Sequence, residues 1–330
     1  MKKKMKLIGV ILTVLGVLTV VITMFSIDFH FENMVTVTEK RYDIKGDFNT
    51  LEITAKSTDV TILPSTNGKC SITTKCVDDA EITHSVKDGK LLIEKKEPDF
   101  TMFNFGRDGI VLYLTNEAYS TLKIVGSSGD TDISGVKFDT AEIDVSSGDV
   151  KITSDISNLD IGISSGDVFL KNSKFNFLSI NGSTGDVELE DVEVVNGASI
   201  KASTADVKIS NSKVEKTLSV ELSTGELTVE NASVGSLCAE ATTGEIELEN
   251  LISLGEIKLK VSSGDIELDG CDAGTLDIES SSGDVTGRLL SSKIFYVTSS
   301  TGEVSVPKST EGGLCQVKTN TGDITFTILN

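Results

Sequence analysis

Eleven carboxylates recur along this chain in one local setting, each following a short Ser/Thr-rich stretch and a small residue. Ser127-Ser128-Gly129-Asp130 is the first copy and Asn320-Thr321-Gly322-Asp323 the last. The acid is Asp in eight copies and Glu in three, Glu226, Glu245 and Glu303. Such a row could bind a divalent cation such as Ca²⁺, which takes about six or more oxygen ligands, or a cationic partner. It could also supply the carboxylate pair of a glycoside-cleaving enzyme. In a third arrangement each acid accepts hydrogen bonds from turn N–H or Ser hydroxyl groups and faces water. A catalytic pair occurs once, at chosen positions, so an acid in every copy reads as a building rule. No catalytic residue and no cofactor is expected. If the column takes a cation, the candidate ligands are Asp130, Asp149, Asp167, Asp186, Asp265 and Asp284. The glycine-rich nonapeptide of calcium β-rolls is not present.

The residue before each acid gives the spacing. Gly129, Gly148, Gly166, Gly185, Ala205, Gly225, Gly244, Gly264, Gly283, Gly302 and Gly322 are separated by 19, 18, 19, 20, 20, 19, 20, 19, 19 and 20 residues. A fixed period of this size marks a solenoid. Counting from this residue as zero, positions −7 and −5 are apolar (Leu159/Ile161, Leu178/Ile180, Leu276/Ile278), as are +2 and +4 (Val150/Ile152, Val168/Leu170, Ile266/Leu268). Polar residues alternate with them, as in strands. The chain therefore predicts an all-β fold: a single-stranded parallel β-helix with coils of about 19 residues, rising ~4.8 Å per coil. The glycines are expected to supply a positive φ that bends one strand into the next. Ala205 would cost up to ~1 kcal/mol if that φ were kept.

The 330 residues hold 30 Lys and Arg against 50 Asp and Glu. Lys2, Lys3, Lys4 and Lys6 precede the first acid, Asp28, so the chain after residue 27 carries 26 − 50 = −24. That field repels nucleic acid, which needs clustered Lys and Arg. With no Trp, four Tyr and two His (His30 and His84), histidine-based catalysis and sugar-stacking platforms are poorly supplied. Residues 7–25 are 19 residues without a charge and predominantly apolar, long enough to cross a ~30 Å hydrocarbon layer as a helix. The flanking lysines place the N-terminus in the cytoplasm and the rest outside. No small-residue cleavage site follows, which favours an uncleaved, single-pass signal anchor in the plasma membrane.

Three regions result: a cytoplasmic stub and anchor at 1–27, a β-rich capping region at 28–120, and a β-solenoid at 121–330. The capping region contains a degenerate repeat, "LEITAKSTDVTI" at 51–62, with Thr58 at the zero position. Its loop "FTMFNFG", 100–106, is expected to fold over the end of the solenoid or to offer an apolar contact. Cys271 and Cys315 fall at +7 and −7 and are expected as small buried hydrophobes. Cys70, Cys76 and Cys238 complete an odd set that does not suggest a disulfide framework. The last strand, "ITFTIL", is followed at once by Asn330, and the C-terminal coil is a candidate for self-association or for a partner.

The column of [ST]-[ST]-G-[DE]-[VI], the early copy "LEITAKSTDVTI" and the segment "GIVLYLTNEAYSTLKIVGSSGD" resemble the bacterial "putative adhesin" β-strand-repeat family, a domain of unknown function. The resemblance covers roughly 45–330. It implies a β-solenoid, an N-terminal membrane anchor, and work at the cell envelope, in some members beside envelope-stress genes. The expected function is a non-catalytic binding, adhesion or scaffolding module for an envelope protein or polymer. The alternative is a β-helical carbohydrate-active enzyme of the polysaccharide lyase or hydrolase type. Such an enzyme would break the repeat at one site, with charged or aromatic residues facing one groove.

Overall fold

The computed structural model describes residues 37–77, 81–96 and 108–329. The expected anchor at 7–25 and the loop at 100–106 lie outside them. Among the described residues no helix is long and apolar enough to cross a membrane, and every regular element is a β-strand.

Each repeat is one turn of a parallel β-solenoid. In the Gly148 coil a longer strand, Lys137–Ser147, runs up to the corner and a short one, Val150–Thr153, leaves it. Lys137–Ser147 lies parallel between Ala118–Ser128 and Ile156–Ser165, in register, with Ala141 facing Leu122 on one side and Leu159 on the other. Position −7 can be followed through the whole stack. Leu91, Leu51, Leu122, Ala141, Leu159, Leu178, Ala198, Leu218, Leu237, Ile257, Leu276, Cys315 and Phe295 stand one over the next. At ~4.8 Å per step the rod is roughly 60 Å long.

The core is the set of inward positions of all coils. Positions −7, −5, +2 and +4 are buried as the alternation predicts, except in the Gly302 coil, where Phe295, Val297 and Val306 are half-buried and Val304 is exposed. Three further inward positions escape the apolar pattern. Position −3 holds Val145, Ala202, Ala241 and Ser280; position +7 holds Val136, Ser173, Ala232 and Cys271, with Ser154 in the same column at +6 of the shorter Gly148 coil; position +9 holds Phe138, Val194, Ser253 and Ala273. Most of the buried serines are tied down locally, whereas Ser280 Oγ has no hydrogen-bond partner. Ser154 Oγ accepts from Val136 N at 3.2 Å, and Ser212 Oγ accepts from Val192 N at 3.1 Å. A buried hydroxyl is tolerated where it meets such a partner. Cys271 and Cys315 are fully buried in inward columns, as expected.

The corners explain the glycines more fully than a bend alone. Gly148, Gly166, Gly185, Gly225, Gly244, Gly264, Gly283 and Gly322 have φ between 110° and 143°. Gly129 and Gly302 are not in the positive-φ region, yet they too are confined. A Cβ on Gly129 would strike the carbonyl of Thr58, and one on Gly302 the carbonyl of Gly322. At these glycines the adjacent corner approaches too closely for a side chain. Ala205 sits in the column without a positive φ, so the penalty anticipated for it does not arise.

A second corner lies at +6, where Gly135, Asn172, Asp191, Asn211, Asn231, Asn250 and Gly270 have φ between 49° and 68°. These are the residue types that adopt the left-handed region most readily. Asn250 Nδ2 donates to Asn231 Oδ1 at 3.1 Å, one coil away.

The two ends break the sequential order in the same way. At the leading end, Lys90–Lys96 and Asp108–Leu114 form the outermost coil, and the earlier Thr50–Lys56 and Thr58–Pro64 lie inside it, against Ala118–Ser128 and Thr131–Ser134. At the far end, Gly313–Thr321 and Ile324–Ile328 insert between the Gly283 coil and the coil of Lys293–Ser299 and Val304–Ser305. The last strand in sequence is therefore paired on both sides, and the open edge belongs to residues 293–305 instead. This corrects the expectation that the chain's final strand is the exposed one. Gly287, which looks like a break in the repeat, makes room for the Phe326 ring of the inserted coil. Phe295 covers that ring at 5.6 Å between centroids.

Gly244→Ala should lose more than ~2 kcal/mol of stability in urea unfolding, because the corner combines a positive φ with a backbone collision. Gly68→Ala, with φ 71° but open space around it, should lose only ~1 kcal/mol. Equal losses would leave close approach with no part in the choice of glycine.

Candidate binding face and the acid column

The acids after the corners form a ladder along one edge of the rod. Asp149 N donates to Asp130 Oδ1 at 3.0 Å, Asp167 N to Asp149 Oδ1 at 3.1 Å, Asp186 N to Asp167 Oδ1 at 2.9 Å, and Asp206 N to Asp186 Oδ1 at 3.0 Å. Asp59, in the early copy, accepts from Asp130 N at 2.9 Å, and Asp206 accepts from Glu226 N at 2.9 Å. At the far end Asp265 accepts from Asp284 N, Asp284 from Asp323 N, and Asp323 from Glu303 N, at 2.7, 2.8 and 2.8 Å. The last two steps follow the spatial order of the coils, not the order of the sequence.

Each Asp thus satisfies a backbone N–H that the corner leaves without a strand partner. The ladder is interrupted where the residue in the acceptor place is Glu226 or Glu245. The Glu side chain is one methylene longer, and Glu226 Oε1 instead accepts from the Thr228 hydroxyl at 3.1 Å. Asp and Glu are therefore not equivalent in this column. Asp130, Asp149, Asp167, Asp186, Asp265 and Asp284, the candidate Ca²⁺ ligands, all lie in the ladder with one oxygen committed to backbone. Among the described residues no three His, Cys, Asp or Glu side chains converge where a metal could sit.

The outer face of the longer strands carries a different surface. Register places Thr140, Asn158, Phe177, Gly197 and Thr217 in one outward column, and Glu142, Asp160, Ser179, Ser199 and Ser219 in the next. The register slips by one residue between Phe175 and Phe177, and again between Val214 and Thr217. A trough of about 600 Å³ lies here, lined by Phe177, Asn158, Gly197, Ser199 and Thr217 among others. Phe177 is 52% exposed beside Gly197, which has no side chain to cover it. A second groove of about 460 Å³ continues over Asn181, Lys201, Glu221, Glu240 and Lys260. Its charges are partly paired: Lys201 Nζ lies 2.8 Å from Glu221 Oε1.

Similar pairs cross neighbouring coils elsewhere, Lys123 to Glu142 at 2.8 Å and Lys174 to Glu193 at 3.0 Å. Exposed pairs of this kind contribute at most ~1 kcal/mol each. Arg288, the other apparent break in the repeat, pairs with Asp269 of the preceding coil. Lys95 and Asp108 form a buried pair at 2.6 Å in the outermost leading coil. All five cysteines are free thiols. Burial pushes Cys70 and Cys271 up to about 11 and Cys315 up to about 12, so these sulfurs remain protonated and poorly nucleophilic at neutral pH.

Sequence reasoning located the acid column but missed the trough. Phe177 occupies a place where other coils carry Thr, Asn or Gly, and that substitution was the available signal. The slip beside it left only a longer spacing, 20 residues between Gly185 and Ala205.

A parallel β-solenoid with glycine corners and an Asp ladder defines the class of protein. The Toastrack (DUF4097) family profile matches residues 48–250 and 215–330, and the chain belongs to that family. Among solved structures it is similar to a putative adhesin from Bacteroides fragilis (13% identity, 88% of this chain and 97% of that chain, TM-score 0.36). It is also similar to a putative cell adhesion protein from Clostridium sporogenes (12%, 89% and 100%, TM-score 0.23). A putative adhesin from Parabacteroides distasonis is a third (14%, 88% and 97%, TM-score 0.26). No curated protein matches the chain.

Asp167→Asn retains an acceptor for the Asp186 N–H and should change stability by less than ~0.5 kcal/mol. Asp167→Ala orphans that N–H and should cost ~1–2 kcal/mol in denaturant unfolding. A loss as large for Asn as for Ala would mean that charge, not the hydrogen bond, is what the column needs.

Glu247 supplies a pH test. Burial, with Glu226 and Glu267 adding to it, raises its carboxyl above the ordinary range. A raised folded-state value means that the folded chain holds this proton more tightly than the unfolded one. Stability is then favoured in acid and lost as pH rises from the ordinary carboxylate value through the raised one. Glu247→Gln should raise the Tm at neutral pH and leave it unchanged in acid below the carboxylate range, as thermal melts at both conditions would show.

Proposed function

We propose that this chain is a non-catalytic binding and adhesion module of the bacterial cell envelope. Residues 7–25 would hold it in the plasma membrane, with the solenoid projecting outside the cell. The observation that carries this reading is the trough at Phe177, a half-exposed aromatic ring set among Ser, Thr, Asn and Gly residues, with Glu142 and Asp160 also in its lining. Contiguous exposed apolar surface on a soluble face is a mark of binding, and a rigid repeat array offers it without ordering cost. The site would take a neutral or cationic segment of an envelope protein or polymer. A role in envelope stress would use the same contact, its occupancy following changes at the envelope.

A carbohydrate-active enzyme is the weaker reading. The trough brings Glu142 and Asp160 near Phe177, but a cleaving site needs an acid whose environment sets it apart from its neighbours, and this pair stands on an open, solvated face.

Full-length protein in detergent, used to capture envelope components with and without Ca²⁺, should retain a partner that Phe177→Ala no longer retains, while the melting temperature stays the same. Capture that is equal for both proteins would overturn the assignment of the trough. Capture that depends on Ca²⁺ but not on Phe177 would move the site to the acid column.

A further inference from the structure

The two ends of the rod are finished differently. At the leading end, Ser71–Val77 pairs antiparallel with Asp108–Leu114, Val37–Asp43 pairs with Ser71–Val77, and Glu81–Lys87 pairs with Lys90–Lys96. The outer strands there carry Glu39, Lys40, Arg41, Asp43, Glu81 and Lys87, charges of the kind that blunt a sheet edge against further pairing. The far end has no such cover among the described residues. Lys293–Ser299 pairs with Gly313–Thr321 on one side only. Its one charge, Lys293, is turned inward, with Nζ 2.6 Å from Asp272 Oδ1 and its side chain 3% exposed. Ile294, Tyr296 and Leu314 stand outward and exposed, and Phe295 and Val297 are only half covered.

We infer that this edge is a homophilic contact, pairing with the same edge of a second copy. The charge distribution selects that occupant. The chain after residue 27 carries −24, yet residues 290–312 hold Lys293 and Lys308 against Glu303 and Glu311 and are neutral. Two copies repel along their sides and meet without repulsion at this tip. Of the chain's own remaining segments, residues 97–107 are tethered at both ends to the leading end, roughly 60 Å away, and on the anchor reading residues 7–25 hold the N-terminal segment in the membrane. Stacking of the tip on another copy's leading end is opposed by the charged cover there, which leaves the self-complementary, closed arrangement. Antiparallel pairing of Lys293–Ser299 about a two-fold axis normal to the sheet keeps Ile294 and Tyr296 of both copies on one face. It sets the two rods end to end, roughly 120 Å long, with residue 37 of each copy at opposite extremes. On the reading that residues 7–25 are a membrane anchor, the contact joins two facing membranes.

The test uses the full chain in phosphatidylcholine vesicles. Flotation first establishes insertion, and if the chain does not float with the vesicles it is the anchor reading that fails. The tip is then read without a membrane, as the oligomeric state of the full chain in detergent. With the chain inserted, vesicles that carry it should cluster with one another and not with bare vesicles. Ile294→Lys with Tyr296→Lys should slow clustering at least ~10-fold, since like charges set face to face cost several kcal/mol, without altering the melting temperature or Phe177-dependent capture. Dispersed vesicles, clustering with bare vesicles, or clustering indifferent to the two lysines would each overturn the inference, as would a detergent-solubilised chain that is monomeric at high concentration.

Discussion

Each coil must return its chain to the same place, one hydrogen-bond spacing further along, and nearly every regularity in this protein follows from that closure. Parallel strands in register leave no freedom for a side chain where two corners approach most closely. Glycine is required there by the backbone above it as much as by its own φ, as Gly129 demonstrates without a positive φ at all. The residue after the corner has an N–H pointing along the stack with no strand to receive it. The Asp of the neighbouring coil is the shortest side chain that reaches it with a charged oxygen. A run of like charges that looks unfavourable in the sequence is, in the fold, a run of charge-assisted acceptors, which are stronger than neutral ones.

The same closure leaves a solenoid with two unsatisfied ends, and this chain treats both by stepping past a level and coming back to fill it. Thr58–Pro64 and Ile324–Ile328 are each held between two neighbours. A terminus that would otherwise fray is thus locked by pairing on both edges. At the far end the insertion is matched in volume, since Gly287 vacates the space that Phe326 fills and Phe295 closes over it. What looks sporadic in the repeat is compensated one coil away.

The parts of this architecture that were legible in the sequence are those in which every coil repeats one residue type. The period, the glycine corner and the inward positions −7, −5, +2 and +4 are of that kind. The second corner was legible in principle, because Asn172, Asp191, Asn211, Asn231 and Asn250 keep the period, but Asx residues in a polar loop do not announce a left-handed φ unless they are aligned. Positions −3, +7 and +9 were hidden because their burial is satisfied by Val, Ala, Ser, Cys or Phe interchangeably. The interleaved ends could not be read, since pairing Gly283 with Gly322 in place of Gly302 changes no residue in either segment. The difference between Asp and Glu in the column depends on one methylene of reach, which becomes visible only against a backbone N–H at a fixed distance.

Charge then assigns different tasks to different parts of one rod. The corner acids keep neighbouring rods apart, because a field of one sign over a rigid body opposes lateral association. Two regions are set apart from that field in different ways: the tip at 293–305 is neutral, and the trough around Phe177 offers an exposed ring among serines and threonines beside Asp160 and a Glu142 that is paired with Lys123. They lie on different parts of the molecule, one on its flank and one at its end, so occupancy of one does not exclude the other. Because the body between them is a continuous hydrogen-bonded sheet with a packed interior, bending it would disturb many coils at once. Contacts made on the flank and at the end are therefore held at a fixed separation, and a flexible linker of the same length would not hold them so.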